Sequence, residues 1–162
     1  MVEAQHLKKN RRRLVADLQH QLEVARRYGR PLSIVLAEIE GLAPAADLRT
    51  MHAVGRLVNK TKRRADVAAR WGECEFIVIL PETDLAAAQV FAQRLSAAIS
   101  AAPVLGQSLS VSAGVNQCNP EDEAIDCLTA AEYWLFRAKQ TAPGGVASCL
   151  SIMSHVRPAD GT

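Results

Sequence analysis

The sequence predicts an α/β (α+β) fold, a central mixed five-stranded sheet flanked by helices. Three observations carry this. Apolar stripes at helical spacing alternate with short β-rich runs in the order α-β-α-β-β-α-β-α-β. Two adjacent short runs, "ADVAARW" and "EFIVILP", enclose a Gly-containing turn, the pattern of a hairpin. One run, "LSIVLAEIE" at residues 32–40, is nearly continuously apolar, as a strand covered on both faces is.

Each element follows from its local pattern. "NRRRLVADLQHQLEVARRYGRP" puts Leu14, Leu18, Leu22 and Ala25 on one helical face, and Gly29 and Pro31 stop the helix. After the first strand, "GLAPAAD" breaks the chain and a second helix runs from near Asp47 to about Arg64. The hairpin comes next, with Gly72, Glu73, Cys74 and Glu75 at its tip. Following Pro81, a Thr83/Asp84 cap opens a helix whose stripe is Leu85, Ala88, Leu95 and Ile99. "SLSVSAGV", residues 108–115, alternates as a strand. A last helix begins at Pro120 with acids in its first turn and ends with Arg137 and Lys139, matching the helix dipole at both ends. "GGVASCLSIM" completes the sheet.

Composition restricts the function classes. The 162 residues suit one domain, 1–153, with a frayed tail at 154–162, and the net charge of +2 excludes a strongly basic nucleic-acid surface. No apolar run reaches the ~20 residues of a membrane span and "MVEAQHLKKN" is not a secretory signal, so a cytoplasmic protein without membrane insertion is expected. Cys74, Cys118, Cys127 and Cys149 form no C-x-x-C pair and have no His at ligand spacing, which argues against zinc and disulfides; Cys127 and Cys149 read as small apolar filler. The basic runs "KKNRRR" and "KTKRR" read as solvated helix faces rather than phosphate contacts, and Trp71 and Trp134 as packing anchors.

Beyond these readings, "RYGRPLSIVLAEIE", "RRADVAARWGECEFIVILPETDLAAA", "LSVSAGV" and "AAEYWLFRAK" occur in an order that resembles the GGDEF domain of diguanylate cyclases, from about Asn10 to Val146. The resemblance implies the palm-like fold of nucleotide cyclases and an ancestral reaction in which two GTP molecules, one per subunit of a dimer, become cyclic di-GMP.

Departures from the family pattern fall on the residues that do this chemistry. Two carboxylates hold divalent metal against the GTP phosphates in the family, because hard Mg²⁺ selects oxygen ligands. Glu38 stands at the first position; the second is Cys74, whose thiol is a poor Mg²⁺ ligand. Glu73 replaces the signature's second glycine, where positive φ and close approach to phosphate are expected. Gly72, Glu75 and Phe76 match, with Phe76 expected in the core. Ala46 replaces the guanine-reading Asn, Asp47 alone could match there, and the connection to Asp66 is shorter than usual. Lys139 matches the family's phosphate-contacting Lys, although a solvated helix-end Lys is an equal reading. No resident metal or cofactor is expected; Mg²⁺ enters only under residual cyclase activity.

What the resemblance leaves intact is an R-x-x-D, Arg63 and Asp66, with five residues between Asp66 and Gly72. Family members with this spacing carry an inhibitory site for cyclic di-GMP, to which the following helix adds an Arg, here Arg94. Guanidinium can fork onto guanine or phosphate, and a carboxylate can accept from guanine N–H groups. At i and i+3, Arg63 and Asp66 would face one ligand if the helix persists; a surface ion pair is the plainer alternative. Arg64 and Arg70 are further candidates. The expected function is a cyclic di-GMP receptor without catalysis, forming a ligand-linked homodimer and signalling to an unidentified protein. Residual cyclase activity through Glu38, Glu75 and Glu73, and a ligand-free interaction scaffold, are the alternatives.

Overall fold

The computed structural model describes residues 2–42, 48–141 and 144–150; Ala46, Asp47, residues 151–153 of the expected last strand and the tail 154–162 lie outside the described residues. Its elements are α1 (Val2–Tyr28), β1 (Leu32–Glu40), α2 (Leu48–Thr61), β2 (Val67–Arg70), β3 (Glu75–Pro81), α3 (Leu85–Ser100), β4 (Ser110–Gln117), α4 (Ala124–Thr141) and β5 (Val146–Ala147). They form one mixed sheet of order β2-β3-β1-β4-β5, antiparallel except for the parallel β4–β5 edge.

The helix over α1 begins well before Asn10 because the basic lead-in contains no Gly or Pro to interrupt it. Gly29, at φ 64, ends it, and the Arg30 amide donates to the Ala25 carbonyl at 3.0 Å. Leu14, Leu18 and Leu22 are buried, as the stripe requires.

Strand alternation sorts the core into two layers. Val35, Ala37 and Ile39 of β1, with Phe76 and Val78 of β3, meet Met51, Val54 and Val58 of α2 and Leu95 and Ile99 of α3. Ile34 and Leu36, with Ile77 and Ile79, meet Leu14 and Leu18 of α1 and Leu128, Ala131 and Leu135 of α4. β1 is therefore covered on both faces, as its composition indicates.

Four expectations need correction. The last helix starts at Ala124, not Pro120, because Asp122 first closes a turn by accepting from the Asn119 amide at 2.9 Å, and Asp126 in the helix's first turn caps its start by accepting from the Glu123 amide at 2.9 Å. The last strand is only Val146–Ala147, since Cys149 and Leu150 are helical. β4 starts at Ser110 and runs on to Gln117. Cys149 is exposed and cannot serve as core filler, whereas Cys127 does. Asp84 caps α3 as expected, accepting from the Ala87 amide at 2.9 Å.

One close approach positions the site below. A Cβ on Gly114 of β4 would stand 2.2 Å from the Leu135 amide nitrogen and 2.3 Å from the Ala131 carbonyl oxygen, so α4 lies with its backbone directly on the strand. That seating brings Lys139 over the end of β1. Gly114→Ala is expected to destabilise the domain by about 1–3 kcal/mol through overpacking, read as a lower urea midpoint. An unchanged midpoint would mean that α4 does not rest on β4 this way.

Candidate functional site

The first cluster is the β2–β3 hairpin and the end of β1 beside it. The Trp71 amide donates to the Glu75 carbonyl at 2.8 Å, and Gly72 and Glu75 exchange longer backbone bonds of 3.4 Å. The Ile39 amide donates to the Cys74 carbonyl at 2.8 Å, tying the tip to β1. Two arginines hold the tip from outside. Arg11 Nε donates to the Trp71 carbonyl at 2.6 Å, with its guanidinium 4.8 Å from the center of the Trp71 ring. Arg70 Nη2 donates to the Glu73 carbonyl at 2.7 Å and pairs with Glu3 at 2.9 Å. Glu73 is not in the left-handed region: the described non-glycine residues with positive φ are Glu82 and Leu105. The expected backbone conflict at this position therefore does not arise. What Glu73 adds is a side chain and a negative charge.

Registry sets the electrostatics. Glu38 of β1 pairs with Glu75 of β3 and with Ser112 of β4, which places the two carboxylates side by side on the α1/α4 face. Lys139 Nζ lies 2.6 Å from Glu38 Oε2, and Glu40 accepts from Ser112 Oγ at 2.9 Å. Burial raises the Glu75 pKa above the ordinary carboxylate value, and Glu38 raises it further against Arg11 and Lys139. The Glu38 hydrogen bond holds the Lys139 pKa above normal. At Cys74, burial and then Glu38 and Glu73 push the thiol up against the pull of Arg70, so it is protonated at neutral pH. Among the described residues, no three His, Cys, Asp or Glu side chains converge into a metal-holding group.

The second cluster lies at the other end of β2. α2 stops at Thr61, so Arg63 and Asp66 sit in a turn rather than on a persisting helix. The Asp66 carboxylate accepts from the Arg63 amide at 2.8 Å and from Arg63 Nη2 at 3.2 Å. The same guanidinium donates to the Pro81 carbonyl at 3.1 Å and to Thr83 Oγ1. Asp66 has a side-chain exposure of 0% against 59% for Arg63, so the surface here is the guanidinium and the carboxylate beneath it is its anchor. Arg94 is exposed on α3 and makes no hydrogen bond or ion pair with Arg63 or Asp66; Arg64 is also exposed. Arg70 belongs to the hairpin and Lys139 to Glu38, so neither joins this cluster. The sequence reading missed Glu3 and Arg11. Both act across the fold, and nothing in helical periodicity marks them.

Comparison with known proteins decides the family. A model described as "Diguanylate cyclase, GGDEF domain" matches residues 8–143. The chain belongs to the GGDEF domain family. Diguanylate cyclase DgcP of Pseudomonas aeruginosa is 32% identical to this GGDEF domain over 131 residues, covering 73% of the chain and only 20% of that protein. Among solved structures, diguanylate cyclase SiaD of Pseudomonas aeruginosa, in complex with its activator SiaC, superposes with a TM-score of 0.79 at 21% identity, covering 85% of this chain and 57% of that one. The active GGEEF domain of a Vibrio cholerae diguanylate cyclase gives 0.76 at 21% identity, covering 85% and 95%. The GGDEF domain of DgcB from Caulobacter crescentus, in complex with c-di-GMP, gives 0.74 at 15% identity, covering 82% and 85%. These superpositions establish the shared fold. No helix of the described residues is long and apolar enough to cross a membrane.

The raised Glu75 pKa has a measurable sign. The folded state binds this proton more tightly than the unfolded chain, so Glu75 costs stability as pH rises from its ordinary value of 4.5 through the raised one. Glu75→Gln is expected to melt higher than the parent at about pH 7.5, with the gain vanishing below about pH 4. A gain that persists unchanged in acid would assign the effect to something other than this proton.

Proposed function

We propose that this is a GGDEF domain without cyclase activity that reads cyclic di-GMP through Arg63. The observation that carries the loss of catalysis is the Lys139–Glu38 ion pair beside Cys74. The family's reaction needs two anionic oxygen ligands at this place. Here one carboxylate is already neutralised by an ammonium of the same chain, and the other position holds a protonated thiol. These donors do not fit Mg²⁺, which selects charged oxygens and demands near-octahedral geometry.

The receptor half of the proposal rests on Arg63. Its guanidinium is held in place by Asp66, Pro81 and Thr83 yet keeps 59% of its side-chain surface in solvent. An anchored, exposed guanidinium loses little entropy on accepting a phosphate or a guanine edge. In this reading Asp66 is a positioning residue, and the exposed Arg64 and Arg94 are the further cations proposed to meet the ligand. A ligand with two phosphates and two guanines can bridge two copies of the domain and present them jointly to a protein partner. The c-di-GMP complex of the Caulobacter DgcB domain, which shares this fold, is consistent with it.

Two measurements test the two halves separately. Incubated with GTP and Mg²⁺, the protein is expected to yield no cyclic di-GMP by chromatography; product that disappears in Glu38→Ala would overturn the loss of catalysis. Titrated with cyclic di-GMP in a calorimeter, the wild type is expected to bind and Arg63→Ala to bind at least about tenfold more weakly. No heat from the wild type at protein concentrations on the order of 100 μM would remove the receptor reading.

A further inference from the structure

A guanidinium can bracket two acceptors at once along two of its edges, Nε with Nη2 and Nη1 with Nη2. At Arg63 the protein itself occupies both. Nε and Nη2 fork onto the Asp66 carboxylate, at 3.5 Å to Oδ2 and 3.2 Å to Oδ1. Nη2 also donates to the Pro81 carbonyl at 3.1 Å and to Thr83 Oγ1, which takes up its second hydrogen. Nη1 takes part in none of these bonds, so the donors left for a ligand are the two hydrogens of a single nitrogen.

That remainder does not suit a base. Guanine differs from adenine in presenting O6 beside N7, two adjacent acceptors where adenine places a donor next to N7, and in carrying an N2 amino donor that adenine lacks. Adjacent acceptors call for a two-nitrogen fork, and neither fork of Arg63 is free. The amino donor calls for an exposed acceptor. Asp66 is not one: its side-chain exposure is 0%, and besides the guanidinium it accepts from the Arg63 amide at 2.8 Å. Thr83 is buried with its hydroxyl donating to the Pro81 carbonyl at 2.8 Å, and Glu82 between them pairs with Arg30. The ionisable side chains of this turn that reach solvent are Lys62, Arg63 and Arg64, all cations.

We propose that Arg63 reads a phosphodiester oxygen of its ligand, and that the site accepts cyclic dinucleotides as a class with little regard to the base. This rests on the receptor reading above and names the chemical group that Arg63 contacts. A phosphodiester oxygen is a single anionic acceptor, which two hydrogens of one nitrogen satisfy without breaking any bond of the fold. Taking a base edge instead would strip the buried Asp66 carboxylate of its cation, or leave the Pro81 and Thr83 acceptors unmatched, and both carry a desolvation penalty.

Calorimetric titrations of the full chain with cyclic di-GMP and with cyclic di-AMP, which share both diesters and differ in the base, provide the test. Dissociation constants within about fivefold of each other are expected, since about fivefold is the least that a good bidentate base contact discriminates. Arg63→Ala is expected to weaken both ligands at least about tenfold, with circular dichroism confirming that the variant is folded. Guanosine, the base and sugar without a phosphate, is expected to displace neither ligand at about 1 mM. A preference for cyclic di-GMP above about fivefold, or displacement by guanosine, overturns the proposal and leaves the receptor reading standing. Cyclic di-AMP binding that Arg63→Ala does not weaken overturns it as well, and absence of binding by either ligand removes the proposal together with the receptor reading.

Discussion

Two carboxylates set opposite each other on neighbouring strands must be neutralised or protonated, and the Glu38–Glu75 register imposes that condition on this molecule. The register is not free to change. A slip of one residue would turn Ile34 and Leu36 out of one core layer and Val35 and Ala37 out of the other. The acidic pair is thus a consequence of how the sheet buries its apolar rows. Lys139 pairs with Glu38 across this repulsion, and burial, then Glu38, raises the Glu75 pKa. Lys139 reaches Glu38 because Gly114 lets α4 lie against β4. The ion pair is partly exposed and contributes at most about 1 kcal/mol, so its importance is positional rather than energetic.

The second cluster follows a different logic. Arg63 joins the start of β2, the end of β3 and the approach to α3 through Asp66, Pro81 and Thr83, and Ser33 Oγ adds β1 by donating to the Thr83 carbonyl at 2.7 Å. Three segments meet at one guanidinium, and β1 is tied to them through Thr83. A ligand that draws on this side chain acts on a junction of the fold, which is how occupancy of a small site can be felt at a distance. The hairpin tip at the opposite end of β2 is braced by Arg11 and Arg70 from α1 and β2, so the strand is pinned at both ends.

Much of this was legible from residue patterns. The continuous apolar run of β1 announced burial on both faces, the Gly-containing turn announced the hairpin, Asp84 announced its cap, and Phe76 proved to be core. The motif residues could be placed because they are anchored to that hairpin in sequence. What escaped was set by tertiary reach or by competing local bonds. Arg11 and Trp71 stand sixty positions apart and meet only in the fold. Asp122 closes a turn on Asn119 and Asp126 caps the start of α4 at Glu123, so Pro120 lost the helix start its type predicts. Asp66 reads as a ligand-facing acid in the motif, yet its carboxylate is spent on the backbone and side chain of Arg63. Glu73 occupies a glycine position without strain because the tip closes through the Trp71–Glu75 bond with no left-handed residue.

The sheet also ends abruptly on both sides, with four residues in β2 and two in β5. Unpaired backbone at a sheet margin is a template on which other chains can polymerise, and its hazard grows with length and flatness. Margins this brief, one of them flanked by α1, offer a stranger too few consecutive amides to zip onto. A domain whose proposed work is to gather copies and partners around a ligand is thereby spared the indiscriminate fibrous association that a longer border would invite.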